Sequence, residues 1–142
     1  RVFSASEDGL VRLWDAASGL CLRTLHADRP LHSLAVSPDG RHVVTGDFRG
    51  RVWWWDLALH NDVPAFSWQA HQAGVRRLRF LSPHRLASGA EDNYLRLWDF
   101  PSHKLHAEFH RDNFVTDMLA LGADTLFSSA YDGGIARHPL SH

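Results

Sequence analysis

A chain of 142 residues with 15 basic and 16 acidic side chains carries a formal net charge of −1, and this balance argues against a nucleic-acid reader, which needs a basic face. One cysteine, Cys21, excludes an internal disulfide framework, and no apolar run approaches the roughly 18 residues of a membrane span. At 44% hydrophobic and 22% charged the composition is that of an ordinary globular protein.

In chain order, Arg1-Val2-Phe3 opens straight into a strand, with no signal peptide in view. The only methionine is Met118, so residue 1 does not read as a translation start and the chain reads as a piece of something longer. Strands are predicted over 2–5 and 10–14, with Trp14-Asp15 closing the hairpin. A short link, Ala16-Ala17-Ser18-Gly19, leads to a strand over 21–25. Strands over 31–36 and 43–46 flank Ser37-Pro38-Asp39-Gly40, in which proline fixes φ and glycine accepts φ > 0. After a strand over 51–55 comes a longer link, Leu57 to Pro64, containing Asn61-Asp62; it is expected to be a mobile surface loop. Strands follow over 65–69, 75–80, 86–89, 94–98, 104–109, 115–120, 126–129 and 134–138. No stretch sustains a 3.6-residue apolar period, so essentially no helix is expected.

The chain repeats itself. Leu86-Ala87-Ser88-Gly89-Ala90-Glu91-Asp92-Asn93-Tyr94-Leu95-Arg96-Leu97-Trp98-Asp99 restates residues 1–15, and Gly46-Asp47-Phe48-Arg49-Gly50-Arg51-Val52-Trp53-Trp54-Trp55-Asp56 is a degraded copy between them. The closing aspartates are 41 and then 43 residues apart (15 to 56, 56 to 99). Strand–turn–strand units ending in Trp-Asp at about 40–45 residues resemble the WD40-repeat family. That resemblance implies an all-β fold: a partial WD40 β-propeller of about three and a half four-stranded antiparallel blades, part of a larger ring of the seven-bladed type. Its blade pieces would be approximately 1–25, 26–69, 70–109 and 110–142. Repeats bury their faces only against neighbours, so the rest of the ring is expected to be needed for closure; two identical copies would not supply it.

The resemblance also implies a buried hydrogen-bonded tetrad in each blade. The third copy matches it in full with His71, Ser88, Asp92 and Trp98. The first keeps Ser4, Asp8 and Trp14. The second offers His26, Thr45 and Trp55, but Arg49 stands where the aspartate belongs. The fourth has His110, Ser128 and Asp132, with His138 in place of tryptophan and Pro139 in place of the closing aspartate.

Catalysis and metal binding find little support. His103, His106 and His110 have the closest histidine spacing, yet on a strand 103 and 106 point to opposite faces. Ser88, His71 and Asp92 name a hydrolase triad only as a bare list, because no Gly-x-Ser-x-Gly elbow surrounds the serine. Neither a phosphate-binding glycine loop nor a dinucleotide fingerprint occurs. No cofactor is expected, and the chain is expected not to be an enzyme. Arg76, Arg77, Arg79 and Arg85 form a small basic cluster, read as a solvated or ion-paired face or as a contact for an acidic peptide or phosphate. Trp53-Trp54-Trp55 fits a sheet covered on both sides, with Trp53 or Trp54 the candidates for an exposed aromatic anchor.

Proteins similar to this one act as interaction platforms on the face carrying the loops before the first strand and between the second and third. Carried over by position, that partner-binding face comprises Phe114, Arg76, Tyr131, Phe48, Glu91, His32 and Glu7. The function implied is a non-catalytic scaffold binding a protein or peptide, with no nucleic acid. The alternative is a propeller serving as targeting or regulatory domain for a catalytic module outside these residues. A cytoplasmic location is the default for a single cysteine.

Overall fold

The computed structural model describes residues 1–59, 62–122 and 124–140. Among them are fourteen strands and no helix. They are β1 (Val2–Ala5), β2 (Leu10–Trp14), β3 (Cys21–His26), β4 (Leu31–Val36), β5 (His42–Asp47), β6 (Arg51–Asp56) and β7 (Phe66–Gln69). The second half holds β8 (Val75–Ser82), β9 (Arg85–Ala90), β10 (Tyr94–Asp99), β11 (Lys104–His110), β12 (Val115–Leu121), β13 (Thr125–Ala130) and β14 (Ile135–Pro139).

They form four antiparallel meanders, β1-β2-β3, β4-β5-β6-β7, β8-β9-β10-β11 and β12-β13-β14. Every predicted strand is present, with ends shifted by a residue or two. The last strand begins at Ile135 because Gly134 belongs to the preceding turn, its N–H bonded to Asp132 Oδ1 at 2.9 Å. The four sheets stack side by side without closing into a ring, with β4 against β1 and β8, and β8 against β12.

Packing explains why whole strands are apolar. Each gap between sheets holds its own core. Val11, Leu25, Leu31, Val43 and Trp55 fill the first, Val44, Val52, Trp68, Val75, Leu86, Trp98 and Phe100 the second, and Leu95, Leu97, Val115, Met118 and Leu126 the third. Strands β5 and β9, flanked on both sides, are buried along nearly their whole length, whereas β14 at the open end leaves Ile135 exposed. At Gly89, on β9, a Cβ would lie 2.5 Å from Val115 of β12, so the absence of a side chain sets how closely the third and fourth sheets approach.

The link after β6 differs from its expectation as a free loop. Arg23 of β3 donates to the carbonyls of Leu57 and Leu59 at 3.1 and 2.8 Å and to Asp62 Oδ1 at 3.2 Å. The N–H of His26 donates to Asp62 O at 2.8 Å. The described part of the link is therefore strapped along the outer strand of the first sheet; Asn61, within it, lies outside the described residues.

Candidate functional site

The third sheet brings its four polar residues together. Histidine 71, in the loop before β8, is fully buried, and its Nδ1 lies 3.0 Å from both oxygens of Asp92. Its Nε2 lies 2.7 Å from Ser88 Oγ, which also accepts the indole N–H of Trp98 at 2.8 Å. A carboxylate only accepts, so the imidazole proton sits on Nδ1 and the serine hydroxyl donates to Nε2. Every polar group then has a partner in a place without water.

Burial alone would raise the Asp92 pKa. The hydrogen bond from His71 and the N–H groups of Gln72 and Tyr94 outweigh it, so the carboxyl sits below its ordinary value. Ser88 and His71 have the spacing of a nucleophile and its base, but both are wholly buried and the hydroxyl is committed to Trp98. No acyl group can approach that oxygen, so the arrangement joins β8, β9 and β10 and offers nothing to a substrate.

The other sheets vary the theme. In the first, Trp14 Nε1 donates to Ser4 Oγ at 2.9 Å, while Asp8 binds Ser6, the N–H of Leu10 and, at 3.1 Å, Arg12. In the second, the relay is missing. Thr45 Oγ1 and Trp55 Nε1 are buried with no partner, His26 is exposed, and Asp47 takes over the turn. Asp47 accepts the N–H groups of Arg49 and Arg51 and the indole N–H of Trp53.

In the fourth sheet His110 does not turn inward; it meets the Tyr94 ring edge-on at 5.1 Å. Its neighbour Arg111 takes the inner place, donating to Ser128 Oγ at 2.6 Å and Ser128 O at 2.9 Å, while His138 Nε2 lies 2.8 Å from the same hydroxyl. The sequence does carry a signal for Arg111: a basic residue one position beyond His110, opposite a tryptophan position that has become polar.

Burial, and then the Arg111 charge, hold the His138 pKa below its ordinary 6.5. A base depressed by folding takes its proton more readily when unfolded. Stability present above pH 6.5 is therefore lost as the pH falls from there through the folded value. Unfolding midpoints measured between pH 7.5 and 5.5 (roughly one unit either side of an ordinary histidine) are expected to fall with pH. His138→Gln, which keeps a polar partner for Ser128, is expected to flatten that slope; an unchanged slope would assign it elsewhere.

The positions carried over as a binding face fall into two groups. His32 and Phe48 of the second sheet lie ring against ring at 4.5 Å, and His32 Nε2 is 3.9 Å from Glu91 Oε1 of the third. Burial, and then the Arg76 charge, depress the His32 pKa, with Glu91 opposing. Phe114 and Tyr131 form the second group, their rings 6.3 Å apart, with Tyr131 73% exposed. Equivalent backbone bonds hold the turns of Glu91 and Tyr131: Glu91 N–H to Gly74 O at 2.9 Å, and Tyr131 N–H to Phe114 O at 2.8 Å. Glu7 is exposed in the corresponding turn of the first sheet.

The other candidates are dispersed. Arg77 pairs with Asp117 at 3.2 Å and Arg85 with Asp99 at 3.3 Å. His103 stacks on Phe66 at 4.3 Å, His106 faces Asp99 at 3.9 Å, and His110 lies on Tyr94, so the three do not converge. No group of three or more potential metal ligands lies together among the described residues. Cys21 is exposed.

Comparison with known proteins agrees with this geometry. The chain is 27% identical over 118 residues to target of rapamycin complex subunit wat1 of Schizosaccharomyces pombe, covering 82% of this chain and 37% of that protein. It is 32% identical over 126 residues to telomerase protein component 1 of Mus musculus, covering 87% of this chain and 5% of that protein. The structure of U3-55K superposes with a TM-score of 0.85 at 20% identity, over 97% of this chain and 45% of that one. The chain thus spans little more than a third of wat1, and the likeness to U3-55K speaks for the propeller fold. The family model for the WD domain, G-beta repeat, matches residues 1–15, 19–56 and 62–99, each span ending on a Trp-Asp pair, and the chain belongs to that family.

Proposed function

We propose that this chain is part of a non-catalytic interaction scaffold whose loop face binds a protein or peptide, with repeat units running approximately 1–25, 26–69, 70–109 and 110–142. The observation that carries the reading is the row of partly exposed side chains held on hydrogen-bonded turns: His32, Phe48, Arg76 and Glu91, then Phe114 and Tyr131. Aromatic and charged groups on a backbone that is already ordered lose little entropy on binding, which favours hot spots. The relatives support it, since wat1 is named as a complex subunit. The burial of Ser88 and His71 supports a role without catalysis. A propeller serving as targeting domain of a larger protein is the second reading, favoured by a relative of which the match covers only 5%.

The test is recovery of co-purifying proteins on immobilised wild type and on Arg76→Glu/Phe114→Ala. Both positions are at least partly exposed, so the fold should persist while recovery of specific partners falls about tenfold or more, as for loss of two hot-spot residues. Unchanged recovery would remove this face from the proposal.

A further inference from the structure

The corner that His71 and Asp92 fill in the third sheet is a cavity of about 600 Å³ in the second. Its lining includes Arg29, Phe48, Arg49, Trp53, Val63 and Pro64. The turns β1–β2, β9–β10 and β13–β14 each carry an aspartate, Asp8, Asp92 and Asp132, whereas the β5–β6 turn carries Arg49. The turn has therefore exchanged an anion for a cation, and His26, which stands where His71 does, lines the cavity with an exposed side chain instead of filling the corner.

We infer that this corner is a binding site for an acidic peptide side chain, a carboxylate or a phosphate, that enters from a partner and pairs with Arg29 and Arg49. Charge and shape both favour it. Arg29 has its guanidinium 5.9 Å from the centre of the Trp53 ring and no acidic partner, and the exposed Arg49 side chain has none either among the described residues. Guanidinium groups beside an aromatic wall suit an anion on an apolar stem, the fork donating to two oxygens at once.

Two carboxylates also line the cavity. Asp47 is turned inward, its oxygens engaged by two backbone N–H groups and the Trp53 indole. Asp28 is exposed on the rim, where solvent screens it. Trp53, Phe48, Val63 and Pro64 supply apolar wall for the stem. The cavity shares Phe48 with the proposed loop face but includes neither Arg76 nor Phe114.

Calorimetric titration of the full chain with three acetylated hexapeptides tests the proposal, the peptides differing only at a central glutamate, phosphoserine or serine between leucines. Inorganic phosphate is a fourth arm. At least one anionic peptide is expected to bind about tenfold or more tightly than the serine peptide, and to weaken as salt is raised. Binding by both assigns the site to any anion, and binding by one alone identifies the source. Arg29→Gln/Arg49→Gln is expected to remove that preference.

Asp47→Ala/Arg49→Asp writes the third sheet's turn into the second. It is expected to abolish binding. Recovery of partners through Arg76 and Phe114 should be untouched by the Arg29/Arg49 pair, which separates failure here from failure of the loop-face proposal. The inference is overturned if neither anionic peptide binds, if the serine peptide binds equally, if free phosphate matches the peptides, or if the two arginine changes leave affinity intact.

Discussion

Trp98→Ala is expected to cost about 3–5 kcal/mol of unfolding free energy, the range for removing a large ring from a close-packed core. The indole is 7% exposed and meets Trp68 edge to face at 5.7 Å. It shares its core with Val75, Leu86 and Phe100, which come from three separate strands or links. Its N–H is the donor that satisfies Ser88 Oγ on the side away from His71. Truncation therefore opens a cavity between the second and third sheets and takes a donor from a buried hydroxyl.

The two effects can be separated. Trp98→Phe retains most of the apolar area and loses the donor, so it should cost a hydrogen bond of about 0.5–1.5 kcal/mol plus the smaller volume deficit. Equilibrium denaturation with an unchanged dependence on denaturant is the measurement. A neutral alanine variant would contradict the burial of the ring and, with it, the stacking of the sheets.

Where the sequence was legible, one physical demand had one solution. Trp98, Ser88, Asp92 and His71 could be read because a buried indole, hydroxyl, carboxylate and imidazole each need partners, and their spacing put all four in one blade. The strands could be read because β5 and β9 carry apolar residues on both faces, as a sheet packed on both sides requires. The fourth sheet was less legible. Either His110 or Arg111 can reach inward from adjacent positions, and the choice depends on what stands opposite. With His138 there, a guanidinium donates to Ser128 Oγ and O and also reaches Gly134 O at 3.2 Å. The strap after β6 was opaque for another reason. Arg23 binds carbonyls of an irregular segment, and no side-chain pattern marks a carbonyl as an acceptor. In the second sheet Arg49 announced that the relay was lost, but not that Asp47, two residues earlier, would cap the turn and hold Trp53.

Gly50→Ala should be nearly as damaging as the loss of Trp98, through the backbone instead of the core. Gly50 has φ +91° in the turn between β5 and β6, a conformation costing an L-residue roughly 1–2 kcal/mol. Its carbonyl accepts the N–H groups of Ala70 and His71 at 3.0 and 2.9 Å, tying the second sheet to the loop that starts the third. A Cβ there would lie 2.1 Å from His71 O and 2.8 Å from Ala73 O, both main-chain atoms that cannot rotate away. Relief requires moving the segment that holds His71 against Asp92 and Ser88, so overpacking adds about 1–3 kcal/mol or more to the strain. Gly133→Ala is the control, because its φ is +87° with nothing within 4 Å of the added carbon. Only the strain should appear there. Chemical denaturation of both variants is expected to place Gly50→Ala at about 3 kcal/mol or more below wild type and Gly133→Ala within about 1–2 kcal/mol of it. Equal losses would mean that the turn of one sheet does not seat on the start of the next, and the relay around His71 would then be held by its own sheet alone.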